Sequence, residues 1–115
     1  MNNKFYYDIK KSFDERLNES SEILKKYPNK IPIIVEQNSR FFLSRNKFLC
    51  PYDITVGQFI LILRNRINLN SSQTIFIFIK NKHLKNNTLL SDVYKSYSDT
   101  DKFLKLNYEL ESVFG

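Results

Sequence analysis

The sequence predicts an α+β roll in which a four-stranded sheet wraps one long helix, with two further helices ahead of it. Three observations predict it. Residues 56–67 carry the clearest helical periodicity in the chain, four short segments have the composition of strands, and an amphipathic stretch precedes them all. The 115 residues, of which 42% are hydrophobic, are enough to bury the core of one domain and too few for two. We therefore expect a single domain spanning 1–115.

The N-terminal part of the chain predicts two helices. From Ser12 to about Lys26, apolar residues recur at helical spacing while charged residues such as Arg16 and Glu19 fill the other face. The apolar positions are Phe13, Leu17, Leu24 and Tyr27. The preceding "NNKFYYDIK" fits one further short helical turn. Pro28 ends the helical region because a residue that precedes proline avoids the α conformation.

Two strands and the long helix follow. "KIPIIVEQ" is short and β-branched, with Pro32 near its start, where a strand tolerates proline, and "NKFLCP" is the second strand. "YDITVGQFILILRNRINL" is the long helix, and Thr55 with Gln58 has the spacing of a capping box at its start. Gly57 in the first turn costs roughly 1 kcal/mol of helix stability, which predicts that another group packs close to its backbone.

The rest of the chain predicts two strands on either side of a short helix. "TIFIFIK" is apolar at nearly every position and is predicted as a strand buried on both faces. A short helix near residues 91–97 precedes "KFLKLNY", the last strand. The Asn-rich stretches between these segments, such as "KNKHLKNN", are predicted to be polar loops.

Charge and cysteine content limit the function classes. Eighteen Lys and Arg against twelve Asp and Glu give a net charge of +6, which favours an anionic partner: an acidic peptide, nucleic acid or anionic lipid. The only cysteine, Cys50, cannot form an internal disulfide, and no charged-then-apolar leader opens the sequence, so we expect a cytosolic protein. The longest apolar runs are far shorter than the roughly 20 residues of a membrane-spanning helix, so membrane contact would need an anchor or a surface.

The sequence lacks the usual signatures of catalysis. It contains no carboxylate pair, no Gly-rich phosphate loop and no cluster with metal-ligand spacing. Cys50 has no partner for nucleophilic chemistry, because the single histidine, His83, falls in the polar "KNKHLKNN" segment. We expect no metal, no cofactor and no enzymatic activity.

The order and spacing of four stretches resemble a known family: "KKYPNKIPIIVE", "KFLCP", "DITVGQFILILRNRI" and "YELESVFG". The family is that of the ubiquitin-like autophagy modifiers, which includes the GABA-receptor-associated protein and the microtubule-associated light-chain proteins. The resemblance implies a ubiquitin-like β-grasp roll with a mixed sheet over 28–115 and a helical extension over 1–27. The chain departs from the better-known members in two places. It is a few residues shorter between Glu36 and Phe48, and Cys50 replaces a valine or leucine.

The resemblance gives the last residue of the sequence, Gly115, a chemical role. In ubiquitin-like modifiers an activating enzyme adenylates the C-terminal carboxylate, which passes to a cysteine as a thioester and then to an amine. Glycine suits this chemistry because, without a Cβ, it threads a narrow channel and offers an unhindered carbonyl. The closing Phe114-Gly115 resembles the autophagy branch, whereas ubiquitin and the sulfur carriers end in Gly-Gly.

In the autophagy branch the acceptor amine belongs to phosphatidylethanolamine, whose two acyl chains hold a protein stably on a membrane. The resemblance therefore implies lipidation and a protein divided between the cytoplasm and autophagosome or related membranes. It also implies three kinds of enzyme partner: activating enzymes, conjugating enzymes, and a cysteine protease that processes or delipidates the modifier.

The resemblance implies a second activity, the docking of aromatic-x-x-aliphatic motifs carried by autophagy receptors and adaptors. The peptide adds a strand beside "KFLCP". By match of position, the aromatic pocket is lined by Glu19, Ile23, Pro32, Ile34, Lys47, Leu49 and Phe103, and the aliphatic pocket by Phe48, Cys50, Pro51, Ile54, Phe59, Ile62 and Leu63. The acidic residues that usually precede the motif would meet Lys30, Lys47, Arg64 and Arg66.

Two other function classes stay open at the level of sequence. A small basic nucleic-acid-binding domain fits the charge and the many aromatic residues. However, those residues lie in core-patterned segments, and no helix carries a concentrated basic stripe, so we predict no nucleic-acid partner. A sulfur carrier is disfavoured by the single terminal glycine.

Overall fold

The computed structural model describes residues 5–37 and 46–112 of the chain. The helices are α1 (Tyr6–Lys10), α2 (Phe13–Lys26), α3 (Val56–Ile67) and α4 (Leu90–Tyr97), and the strands are β1 (Lys30–Gln37), β2 (Lys47–Pro51), β3 (Gln73–Ile79), β4 (Lys82–His83) and β5 (Leu104–Ser112). The predicted order of elements is confirmed, but the sheet has five strands and not four, because two residues of the predicted "KNKHLKNN" loop turn back and pair with the end of β3 as β4. None of the helices in these ranges is long and apolar enough to span a bilayer.

The strands form one mixed sheet in the order β2-β1-β5-β3-β4. β1 and β5 run parallel at its centre, while β1–β2, β3–β5 and β3–β4 are antiparallel pairs. We call the face that α3 packs against the inner face and the face that α1 and α2 pack against the outer face. β2 and β4 are the two edge strands of the sheet.

The inner face holds the main core, and α3 follows its predicted pattern. Phe59 and Leu63 of α3 are fully buried with the inward residues of β1, β3 and β5. The capping box is confirmed: Thr55 Oγ1 accepts from Gln58 N at 3.2 Å, and Gln58 Oε1 accepts from Thr55 N at 2.8 Å. Close packing at Gly57 is also confirmed, because a Cβ there would lie 3.3 Å from the backbone oxygen of Asn86.

The prediction that β3 is buried on both faces is wrong. Ile75, Ile77 and Ile79 are buried on the inner face, whereas Phe76 and Phe78 on the outer face are only half-buried. The physical reason is that the outer-face helices cover the side of the sheet near β1 and leave β3 to the short β4. His83 of β4 lies against both rings, with centroids 5.7 Å from Phe76 and 5.6 Å from Phe78.

The predicted orientation of α2 is also wrong, although the helix itself is confirmed. Phe13 and Tyr27, on the predicted apolar face, are 42% and 37% exposed. The residues that face the sheet are instead largely polar and follow the i, i+3, i+4, i+7 spacing: Arg16, Glu19, Ser20 and Ile23. Hydrogen bonds and ion pairs to distant residues satisfy these side chains, which is what permits a polar helix face to pack inward.

Candidate functional site

The two predicted pockets lie on opposite faces of the sheet at the β2 edge. Side chains alternate along a strand, so Lys47 and Leu49 point to the outer face and Phe48 and Cys50 to the inner face. The antiparallel register places Lys47 opposite Ile34, Leu49 opposite Pro32, and Phe48 opposite Ile33. Residues of both predicted pockets therefore lie on or beside one edge strand.

The structure brings the predicted aromatic-pocket residues together on the outer face. Ile34 and Phe103 are buried in one cluster, with Ile23 of α2 packed against them. Pro32 is buried on the same face of β1, and Leu49 beside it on β2 is half-buried. These side chains form an apolar patch between α2 and the edge strand.

Sequence reasoning missed the part of this cluster that comes from α1. Phe5 and Tyr7 belong to it, and the ring of Tyr7 meets Phe103 edge-on with centroids 5.3 Å apart. A stretch as short as "FYYDIK" carries too few turns to show which of its faces is buried, so no sequence signal could have assigned Tyr7 to the pocket.

A polar network borders the aromatic pocket. Glu19 Oε1 accepts from the Tyr7 hydroxyl at 2.5 Å and from Lys11 Nζ at 3.2 Å, while Glu19 Oε2 pairs with Lys47 Nζ. Burial raises the pKa of Glu19, but the hydrogen bonds from Lys47, Tyr7 and Lys11 outweigh it, so the net pKa lies below 4.5. Glu19 is therefore a fixed acceptor, and Lys47 is shared between Glu19 and solvent.

The predicted aliphatic pocket consists of a buried floor and an exposed rim. The floor residues are at most 5% exposed and belong to the main core: Phe48, Cys50, Phe59 and Leu63. The rim is Ile54, which is half-buried, with Ile62 and Pro51, which are exposed. Phe48 and Phe59 meet edge to face with centroids 5.4 Å apart, which joins β2 to α3.

The predicted cations divide into two groups. Arg66 stacks its guanidinium over the Phe48 ring at 4.3 Å, directly beside the aliphatic pocket. Lys30 is exposed at the start of β1, opposite Pro51 of β2. Arg64 instead donates to the backbone oxygens of Gln73 at 2.7 Å and Asn70 at 3.0 Å, and so closes the turn between α3 and β3. The structure brings Arg66, but not Arg64, to the β2 edge.

Cys50 has the environment of a core residue. It is 2% exposed, and burial raises the pKa of its thiol to about 11. A protonated, inaccessible thiol is a poor nucleophile and a poor metal ligand. Within residues 5–37 and 46–112, no group of His, Cys, Asp and Glu side chains could hold a metal ion.

Two predictions fall on residues outside the described ranges. The predicted conjugation site, Gly115, and its neighbour Phe114 follow Ser112, where β5 ends. The shortened segment between Glu36 and Phe48 lies largely in residues 38–45.

Comparison with known proteins identifies what the chain is similar to. A family model described as "Autophagy protein Atg8 ubiquitin like" matches residues 15–115. Autophagy-related protein 8a of Arabidopsis thaliana is 39% identical over 115 residues, which cover 97% of this chain and 94% of the plant protein.

Two solved structures have the same fold. The crystal structure of Trypanosoma brucei ATG8 superposes with a TM-score of 0.90 at 32% identity, covering 97% of this chain and 99% of the other. Plasmodium falciparum Atg8, solved in complex with a P. falciparum Atg3 peptide, superposes with a TM-score of 0.82 at 33% identity, covering 95% and 98%.

Proposed function

The chain belongs to the Atg8 family of ubiquitin-like autophagy proteins, and we propose that it acts as a membrane-linked modifier with two activities. Its terminal Gly115 is conjugated to phosphatidylethanolamine, and its β2 edge docks aromatic-x-x-aliphatic peptides of autophagy receptors and adaptors. The observation that supports the docking proposal is that clusters of apolar side chains lie on both faces of the sheet beside one edge strand, β2.

The geometry of an extended peptide fits this arrangement. Side chains alternate between faces along a strand, so two residues three positions apart point to opposite faces. A peptide paired with β2 would place its aromatic residue against Ile34 and Phe103 on the outer face. Its aliphatic residue would then reach Ile54 and Ile62 on the inner face. The backbone ladder supplies affinity and the pockets supply specificity.

Positive charge along the edge favours a peptide with acidic residues. Lys47 and Arg66 are exposed on either face of β2, and Lys30 lies at its far end. Because these charges are exposed, their contribution to binding should be modest and should weaken with salt. Burial of the aromatic and aliphatic anchors should provide most of the free energy of binding.

Conjugation is supported by family membership and by the Phe114-Gly115 pair, which lies within the residues that the family model matches. The P. falciparum relative is solved with an Atg3 peptide, and we propose that an Atg3-type conjugating enzyme is likewise a partner of this chain. Activating enzymes and a processing or delipidating cysteine protease complete the proposed set. The modifier would be cytoplasmic before conjugation and bound to autophagosome or related membranes after it.

The nucleic-acid alternative receives no support. Phe48, Phe59 and Phe103 are buried in the two cores, and the exposed rings of Tyr6, Phe13, Tyr27 and Tyr52 are spread over α1, both ends of α2 and the residue after β2. No other observation on the described residues favours nucleic-acid binding over peptide docking.

Lipidation in a reconstituted system tests the conjugation proposal. The protein is incubated with ATP, its activating and conjugating enzymes, and liposomes that contain phosphatidylethanolamine. We expect a lipid-linked product with the wild-type chain and none with Gly115→Ala. Gly115→Ala should still bind an aromatic-x-x-aliphatic peptide, which separates loss of conjugation from loss of folding. Equal lipidation of both forms would refute Gly115 as the site.

A further inference from the structure

The five residues of α1 cannot hold a helix by themselves. Isolated helices shorter than about 12–15 residues are marginal in water, so α1 depends on its contacts with the outer face. A cavity of about 220 Å³ opens between Phe5 and Asp8 on one side and Tyr97 and Lys105 on the other. Packing against the sheet is therefore incomplete on this side, and individual side-chain contacts must keep α1 in place.

The first contact is Glu36 at the end of β1. Its Oε1 accepts from Tyr6 N at 2.8 Å and its Oε2 accepts from Tyr7 N at 2.9 Å. These are the first two backbone N–H groups of α1, which have no partner within the helix. Glu36 is only 5% exposed, so the carboxylate is buried against the helix end that it caps.

The second contact is an ionic cluster beneath Asp8 of α1. Lys105 Nζ lies 2.7 Å from Asp8 Oδ1, 2.7 Å from Asp101 Oδ2 and 3.0 Å from Asp99 Oδ2. Arg16 Nε lies 2.7 Å from Asp101 Oδ2 and 3.5 Å from Asp8 Oδ1. The Lys105 side chain is 6% exposed. Two cations hold three carboxylates, so removal of Lys105 would leave Asp8 facing two other acids with Arg16 alone to balance them.

Tyr7 connects these contacts to the aromatic pocket. Tyr7 is the second residue of α1, and its backbone N–H is one of the two that donate to Glu36. Its ring contacts Phe103 edge-on, and its hydroxyl donates to Glu19. Lys47 Nζ lies 5.2 Å from the centroid of the same ring. Three of the seven residues assigned to the pocket thus contact a side chain whose position depends on α1.

We propose that Lys105 and Glu36 are positioning residues that set the selectivity of the aromatic pocket by holding α1, and hence Tyr7, in place. This inference rests on the peptide-docking function proposed above. Lys105 itself lies away from the β2 edge: it pairs in register with Ile34, which pairs with Lys47, so two strand spacings of roughly 5 Å separate Lys105 from β2. Lys105 is joined to the pocket by two routes, through Asp8 of α1 and through Asp101, whose Oδ1 accepts from Phe103 N at 3.1 Å, so Glu36→Gln is the variant that isolates the route through α1.

The test compares affinity ratios in Lys105→Met, Glu36→Gln and the wild type. One peptide pair differs only at the aromatic position, Trp against Phe, and a second pair differs only at the aliphatic position, Leu against Val. We expect the Trp-to-Phe ratio to change by roughly twofold to tenfold in both variants, the range for one aromatic contact. The Leu-to-Val ratio should stay constant, because that pocket lies on the other face. Lys95→Met, at an exposed position on α4, is the charge-matched control and should change neither ratio.

Amide hydrogen exchange at Tyr6 and Tyr7 reports directly on the docking of α1. We expect exchange at least about tenfold faster in both variants than in the wild type, because release of α1 exposes these groups. Lys105→Arg, which keeps the positive charge and the hydrogen-bond donors, should keep the slow amide exchange and the Trp-to-Phe affinity ratio of the wild type. Glu36→Gln carries the test alone if Lys105→Met does not fold, because it leaves the ionic cluster intact.

Other results would contradict parts of this inference. Unchanged amide exchange in the folded variants would overturn the anchoring role of Lys105 and Glu36. Faster exchange with an unchanged Trp-to-Phe ratio would overturn the connection to the pocket, and a lower melting temperature alone would indicate a structural role only. If the wild type binds none of the four peptides, the docking function itself fails and this inference with it.

Discussion

Replacing Ile62 by alanine should weaken the binding of an aromatic-x-x-aliphatic peptide, whereas replacing the adjacent Leu61 should not. Phe59 and Arg66 of α3 both contact Phe48 of β2, and Ile62 lies between them at i+3 and i−4. Ile62 therefore faces the β2 edge, and Leu61 is turned away from it by about 100°. Leu61 is the more exposed of the two, at 62% against 37%, so exposure alone would predict the opposite result.

The size of the effect follows from the surface of Ile62 that remains to be covered. Full burial of an isoleucine side chain is worth about 1.5–3 kcal/mol, and 37% of the surface of Ile62 is exposed in the free protein. A peptide that covers this remainder gains about 0.6–1.1 kcal/mol from it, which corresponds to a roughly threefold to sixfold weaker Kd for Ile62→Ala.

Fluorescence anisotropy with a labelled peptide measures both variants under identical salt conditions. Circular dichroism should show the wild-type fold for each, because neither residue is buried. Equal effects of Ile62→Ala and Leu61→Ala, or a larger effect at Leu61, would place the aliphatic residue of the peptide elsewhere on the protein and refute the assignment of the inner-face pocket.

Three further predictions concern the core and the outer-face cluster. Cys50, buried with its pKa raised to about 11 by that burial, should resist iodoacetamide at pH 8 in the native protein and react only in denaturant; rapid stoichiometric labelling would show an accessible thiol. Burial raises the pKa of Asp101, but the hydrogen bonds from Lys105 and Arg16 lower it by more than burial raises it. The net pKa is therefore below 3.8, and the ionised form of Asp101 stabilises the fold. That stability is present above about pH 3.8 and lost as the pH falls, so Asp101→Asn should cost about 3 kcal/mol at pH 7 and flatten the acid limb of the unfolding free energy; an unchanged pH profile would count against the cluster. Gly57→Ala should not give the roughly 1 kcal/mol gain expected in an exposed helix, because its Cβ would press on a backbone oxygen at 3.3 Å; a clear rise in chemical-denaturation stability would contradict this.

The parts of the fold that the sequence predicted correctly are those governed by local rules. α3 has apolar residues at helical spacing and a capping box at Thr55 and Gln58. Its apolar face needs only another apolar surface to pack against, so its burial does not depend on particular distant residues. The prediction of two pockets at the β2 edge came from the resemblance to a family. It did not follow from periodicity, which indicated only that Phe59 and Leu63 are core residues.

The parts that the sequence could not predict depend on distant residues. The inward face of α2 is polar, and it can be buried only because Asp101 pairs with Arg16 and accepts the Ser20 hydroxyl on its backbone oxygen. These contacts join residues more than 80 positions apart, which no local pattern reveals. Phe76 and Phe78 appeared buried because their apolar character is the same whether a helix covers them or not. The contact between Tyr7 and Phe103 could not be predicted for the same reason, since it depends on where α1 docks.

Mass spectrometry of the C-terminal peptide tests whether Gly115 is joined to phosphatidylethanolamine. The chain is expressed in cells that carry its conjugation enzymes, the membrane fraction is isolated under conditions that induce autophagy, and the protein is digested and analysed. We expect a peptide that ends at Gly115 and carries the mass of phosphatidylethanolamine on its carboxylate. This adduct should be absent from the soluble fraction. A membrane-bound chain whose Gly115 carries a free carboxylate, or is followed by further residues, would contradict this expectation.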